Sequence, residues 1–296
     1  MRRWWTAVAV GATAALALAG CGVPAGVDGD LADDWPAFPA AESFVPEVGA
    51  CHTTIQDIGY LNGYNPVDCT TSHRAETLHV GTLTGADAGR GTPPRAGSTG
   101  MRAARAECDQ QVNKAVGADW RSGRLQLTVV LPSEPAWSGG ARWFRCDLAE
   151  VASLDDGGVT ERSASLRDAL TARSPLAFGC FNPKLLKDDI TEMQPVACTA
   201  KHKAEFVGVY PFPDITFAEF QRTPQRAHKA CRSLIAKYVK VPDNSDMQYR
   251  AGTIFYHPMK EEWEDGNRGV QCFLWLDNRT LTRSLKGAGS KGLPVR

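Results

Sequence analysis

Apolar residues recur along this chain with two different periods. Met101, Ala104, Cys108, Val112 and Ala115 fall three and four apart, ahead of Gly117, which predicts a helix ending at that glycine. Ala227, Cys231, Leu234, Ile235 and Tyr238 form a second helical stripe, with Thr223-Pro224 as N-cap and first-turn proline. Thr216 and Glu219 fit a capping box for a shorter turn before it. Strand-like alternation marks Glu76, Leu78 and Val80, then Leu125 to Leu131, then Arg142, Phe144, Cys146 and Leu148. It returns at Glu205, Val207 and Val209 and at Arg268, Val270, Cys272 and Leu274. Short strands around one helix, twice over, predict an α+β chain of two tandem cassettes, each a small antiparallel sheet packed on one main helix.

The cysteines place the same boundary. Eight of the nine form two sets, Cys51, Cys69, Cys108, Cys146 and Cys180, Cys198, Cys231, Cys272. The first two of each set are 18 apart, and the last two are 38 and 41 apart. Around them C-T-x-x-H-x-A-E occurs at Cys69–Glu76 and Cys198–Glu205, and P-x4-W-x2-G-x-R-x3-C at Pro132–Cys146 and Pro258–Cys272. Two long ungapped frames read as an internal repeat. Ser165-Leu166-Arg167 faintly echoes Ser284-Leu285-Lys286, suggesting one more short strand per cassette. Three pairings per cassette are open. First-with-second and third-with-fourth is favoured, the latter stapling helix to strand. Zinc is disfavoured because no C-x2-C spacing exists.

The ninth cysteine belongs to an address. Arg2 and Arg3 precede an uncharged run from Trp4 to Ala19, then Leu18-Ala19-Gly20-Cys21. That tetrapeptide resembles the bacterial lipobox, which implies a lipid thioether on Cys21 and cleavage just before it. Residues 22–50 carry six acids, four prolines and no Lys or Arg, the composition of an extended spacer. The expected organisation is a signal peptide (1–20), a lipidated acidic tether (21–44), cassettes at 45–170 and 171–287, and a flexible basic tail (288–296).

At these frames the chain resembles the actinobacterial septum-formation domain family, over about 45–150 and 176–277. The resemblance rests on Gly49-Ala50-Cys51 and Gly179-Cys180, the two His-containing frames, the helical cysteines and the two Trp-Gly-Arg-Cys endings. It implies lipoproteins and membrane proteins of the cell envelope associated with septation, and no defined catalytic activity.

Lys+Arg and Asp+Glu both number 33, so the broad positive field of a nucleic-acid binder is missing. G-x-S-x-G, H-E-x-x-H and phosphate-loop signatures are absent, and no catalytic residue, metal or cofactor is assigned. The candidate binding residues are His73, Glu76, His202, Glu205, Trp137 and Trp263. The His/Glu pairs could do acid–base work or ligate a metal, but residues three apart on one strand face opposite sides. They meet only if each histidine sits in a turn before its strand. Glu76 with Arg142, and Glu205 with Arg268, are expected as structural ion pairs. The residue-level reading is a lipid-anchored binding or scaffold protein outside the membrane. Its partners are the membrane through Cys21 and a cell-wall polymer or an envelope or division protein. The alternative is an envelope-acting enzyme or a metal- or small-ligand-binding lipoprotein using the His/Glu pairs.

Overall fold

In a computed structural model, residues 43–171, 174–187 and 189–295 are described. The signal, lipobox and most of the tether lie outside the described residues. The first cassette contains β1 (Cys51–His52), β2 (Ile58–Gly59), β3 (Ala75–Thr82), α1 (Thr99–Val116), β4 (Leu125–Pro132), α2 (Glu134–Ser138) and β5 (Trp143–Glu150). The second contains β6 (Cys180–Leu186), β7 (Asp189–Val196), β8 (Ala204–Pro211), α3 (Phe217–Arg222), α4 (Pro224–Val239), β9 (Gly252–Tyr256), α5 (Lys260–Glu264) and β10 (Gly269–Trp275). The sheet orders are β1-β3-β5-β4-β2 and β7-β6-β8-β10-β9. Four strands correspond between them, β1-β3-β5-β4 with β6-β8-β10-β9, and all these pairs are antiparallel.

The fifth strand differs. Both inter-cysteine segments span the same 18 residues. In the second cassette this segment folds as the β6–β7 hairpin. In the first it crosses to the far edge, where β2 pairs parallel with β4, an exception to the antiparallel expectation. Gly59 permits that crossing, since a Cβ there would lie 2.3 Å from the Trp143 ring.

Each helix covers one sheet face. Ser98 caps α1 by accepting from Met101 N–H, and Gly117 closes it in the left-handed conformation at φ 88°. Ala104, Cys108, Val112 and Val116 pack on Leu127, Phe144, Cys146 and Leu148. Thr216 caps α3 as expected. Thr223 does not cap α4; its hydroxyl donates to Glu219 O at the end of α3. The disulfides are Cys51–Cys69, Cys108–Cys146, Cys180–Cys198 and Cys231–Cys272. The second binds α1 to β5, and the fourth binds α4 to β10. In the chain-entropy account the two 18-residue closures add about 3 kcal/mol each and the two longer ones about 4 kcal/mol each.

One irregularity occurs in both cassettes. The β3–β5 ladder slips by one residue at Leu78, and the β8–β10 ladder at the corresponding Val207. The bulge turns His79 toward α1, where Nε2 meets Glu107 Oε1 at 2.7 Å. The other sheet faces diverge. In the first cassette His52, Thr77 and Asp147 are buried and hydrogen-bonded, with Arg145 ion-paired to Asp147 at 2.9 Å. Phe181, Phe206 and Phe273 take the places of His52, Thr77 and Asp147 in the second, with ring centroids 5.4–5.5 Å apart for the contacting pairs.

The cassettes belong to one unit, Ser43–Arg296. The expected flexible tail is tied down. Leu293 is fully buried, and Arg250 and Arg279 donate to the carbonyls of Leu293 and Gly292.

Candidate functional site

His202 lies in the turn ahead of β8, its backbone bridged to Leu281. Its Nδ1–H donates to Ala200 O (2.8 Å), and Nε2 faces Glu205 Oε1 at 3.2 Å. Both side chains are fully buried. The Glu205 carboxylate also accepts from Tyr238 Oη, Ser284 Oγ and Leu285 N–H, each at 2.8 Å. Three donors thus converge on the carboxylate, and the His202 ring closes its fourth side. Burial and the facing carboxylate push the Tyr238 hydroxyl above its ordinary range.

In the first cassette Glu76 accepts from Ser165 Oγ (2.8 Å) and Leu166 N–H (2.5 Å). His73 Nδ1 donates to Thr71 O, while its buried Nε2 has no partner, so the His73–Glu76 pair is not joined. The glutamates thus clamp the two Ser-Leu segments that follow the last strand of each cassette. Three residues ahead of them, Arg162 and Leu281 form single bridges to His73 and His202, in place of an added strand.

The expected Glu76–Arg142 and Glu205–Arg268 ion pairs are corrected. Antiparallel register puts Glu76 opposite Leu148 and Trp143 opposite Thr82. Glu76 and Arg142 therefore lie at opposite ends of β3, about 20 Å apart along the strand. Arg142 turns back over the Trp137 ring at 4.1 Å and donates to the carbonyls of Ala88, Trp137 and Ala141. Arg268 lies over Trp263 at 4.7 Å and pairs with Asp214 at 2.7 Å. Arg268 and Arg102 hold the Asp214 carboxyl below its usual range. Trp137 and Trp263 are buried, their indole N–H groups donating to Arg90 O and Ile215 O. The W-x2-G-x-R frame is thus a lock that fastens the segment between the first long strand and the helix. The tryptophans are not exposed platforms.

A cation has little to hold in the frames. Cys180, His202 and Glu205 place ligand atoms within 4.8 Å of one another, as do Cys51, Cys69 and Glu76. The sulfurs are spent in disulfides, which offer no thiolate. The His52 network is no catalytic triad either. Thr77 Oγ1 donates to Asp147 (2.7 Å), so His52 Nε2 must donate to Thr77 (2.9 Å) and cannot act as its base.

What faces solvent is different chemistry. Six of the eleven large apolar side chains most exposed among the described residues are Ile55, Ile58, Tyr60, Leu61, Leu185 and Leu186. All six lie in the two cystine-closed segments, so both cassettes present apolar tips at this place. A cleft of about 440 Å³ opens between the cassettes, lined among others by Leu125, Gln126, Leu154, Phe178 and Gln271. At its base Arg121 pairs with Asp109 and Asp119 and donates to Asn267 of the other cassette. Along α4 runs a basic stripe that the sequence reading passed over. Its signal was the helical spacing of Arg226, Lys229, Lys237 and Lys240.

Residues 48–272 match the family described as septum formation, in one span across both sheets. Neither a curated protein nor a solved structure matches the chain.

Proposed function

The chain belongs to the septum-formation family, and from that premise we propose that it is a lipid-anchored, extracytoplasmic binding or scaffold protein of the bacterial cell envelope that serves septation. We further read the chain as two copies of one domain, anchored through lipid on Cys21.

The observation that carries the binding reading is where the repeat spends its residues. The titratable and aromatic positions shared by both frames are buried and consumed in holding the fold. Six large apolar residues of the two cystine segments are left at the surface. A scaffold needs a rigid body with outward contact points, and apolar tips on disulfide-closed segments supply them at low ordering cost. Four disulfides suit an exported protein. Neither repeated His/Glu position, His73 with Glu76 or His202 with Glu205, is accessible to the alternative enzyme or metal-binding reading.

The test combines lipid labelling with imaging. Palmitate incorporation lost in Cys21→Ser, with a wild-type fusion concentrating at division sites, is the expected result. Label retained in Cys21→Ser removes the anchor. A fusion that never enriches at septa removes the link to septation.

A further inference from the structure

We infer that the exposed face of α4 binds a linear, phosphate-bearing polyanion, with Lys229 and Arg232 at its centre; this deepens the envelope-binding reading and rests on it for the polymer's location. Phe220–Pro242 contains Arg222, Arg226, Lys229, Arg232, Lys237 and Lys240 and no Asp or Glu. Arg226 to Lys237 spans about 17 Å of helix, a line of charge and not a point.

Two hollows flank the stripe. One, of about 330 Å³, is lined by Tyr210, Phe212, Pro213, Arg226, Lys229 and Ser233. The other, of about 440 Å³, is lined by Lys229, Arg232, Ser233, Asn244, Ser245 and the carboxylate of Asp243. Lys229 and Ser233 form the ridge between them. Hydroxyl, amide and cationic donors thus alternate along a shallow track, a donor set that fits phosphate oxygens.

The charges are free to act. Arg226 pairs with Glu219 at 3.2 Å, and Arg222 donates to Ala218 O. Lys229, Arg232, Lys237 and Lys240 have no ion pair among the described residues. Arg232 is close enough to help hold the neighbouring His228 below its ordinary value, after burial. The duplicated helix is the internal control. On α1, Arg105 is buried, Arg102 pairs with Asp214, and Glu107 and Asp109 intervene. The stripe is therefore a property of the second cassette and not a by-product of the fold.

A polymer fits better than a bilayer. An interfacial helix inserts its apolar face, and here Ala227, Cys231, Ile235 and Val239 are buried, with Cys231 bonded to Cys272. Only the polar side is available.

The experiment uses the chain from residue 21 carrying Cys21→Ser. Binding of long-chain inorganic polyphosphate is read by calorimetry, alongside co-sedimentation with phosphatidylglycerol vesicles. Saturable polyphosphate binding is expected, weakening with salt. It falls at least tenfold in K229E/R232E and is unchanged in Lys114→Glu on α1, and vesicles do not pellet the protein. K229Q/R232Q, expected to lose binding in the same direction, serves if charge reversal lowers the Tm. Absence of binding at low salt overturns the inference. So does equal binding by both double variants, equal loss in Lys114→Glu, or vesicle pelleting that depends on Lys229 and Arg232. None of these outcomes touches palmitate labelling or septal imaging, so the broader reading fails or stands separately.

Discussion

Glu76 and Glu205 occupy one repeated position yet carry different loads. Glu205 faces the His202 ring, a tyrosine and a serine hydroxyl and a backbone N–H. Glu76 serves one hydroxyl and one N–H, with no histidine joined to it. Removing one partner of a buried pair strands the other charge. Glu205→Gln is accordingly expected to cost about 3–5 kcal/mol in urea unfolding. Glu76→Gln is expected to cost about 1–3 kcal/mol, the range for a lost buried hydrogen-bond partner. Equal losses would show that the added partners of Glu205, the His202 ring and the Tyr238 hydroxyl, contribute nothing further. At this scale the sequence showed that the two glutamates point inward, through their phase with Leu78 and Val207. It did not show their partners, because these lie 80 to 90 residues further on. The faint Ser-Leu echo was the signal, and it was read as a strand. Arg142 was misassigned because alternation reports which side of a sheet a residue takes, and not how far along the strand its partner lies.

At the scale of elements, helices, strands and staples were legible, because their signals are local periods and paired spacings. The far faces of the sheets were not. Whether a face is polar or aromatic follows from the three-way meeting of β1, β3 and β5, which no single strand records. His52 lies outside the repeated frames, so no sequence pattern marks it. Burial first, then Arg145 and His73, push its pKa down to about 4 from the ordinary 6.5. A base with a lowered folded value disfavours protonation in the native state. Its contribution is therefore fully present above pH 6.5 and is lost as pH falls toward 4. Roughly 3 kcal/mol of stability should drain away over that window through this residue. The Tm of the wild type is expected to fall between pH 6.5 and 4, with the His52 ring titrating near the lower value by NMR. A His52 ring that titrates near 6.5 would contradict the buried network.

Across the whole molecule, the two cassettes are coupled through Arg121. It lies over Trp120 at 4.4 Å, pairs with Asp109 and Asp119, donates to Asn267, and its carbonyl accepts from Gln271. Gly269 makes room for it, since a Cβ there would lie 2.2 Å from Arg121 Cδ. Gly269→Ala should displace the guanidinium and loosen the join. Calorimetry is expected to show one unfolding transition in the wild type and two in Arg121→Ala. A single, merely shifted transition would mean that the backbone contacts between Ser122–Arg124 and Leu176–Phe178 suffice. This join was invisible in the sequence because Arg121 lies outside the frames that repeat and Asn267 stands at a position where they vary.

The central claim is that the repeated His, Glu and Trp positions hold the fold, while recognition belongs to the surface. Its most direct test is co-sedimentation of the soluble Cys21→Ser chain with purified cell-wall sacculi, with the Tm of every variant measured in parallel. His73→Gln and His202→Gln are predicted to bind in proportion to their folded fraction, and K229E/R232E to lose binding at an unchanged Tm. A histidine variant that keeps the wild-type Tm and no longer sediments with sacculi would contradict the claim.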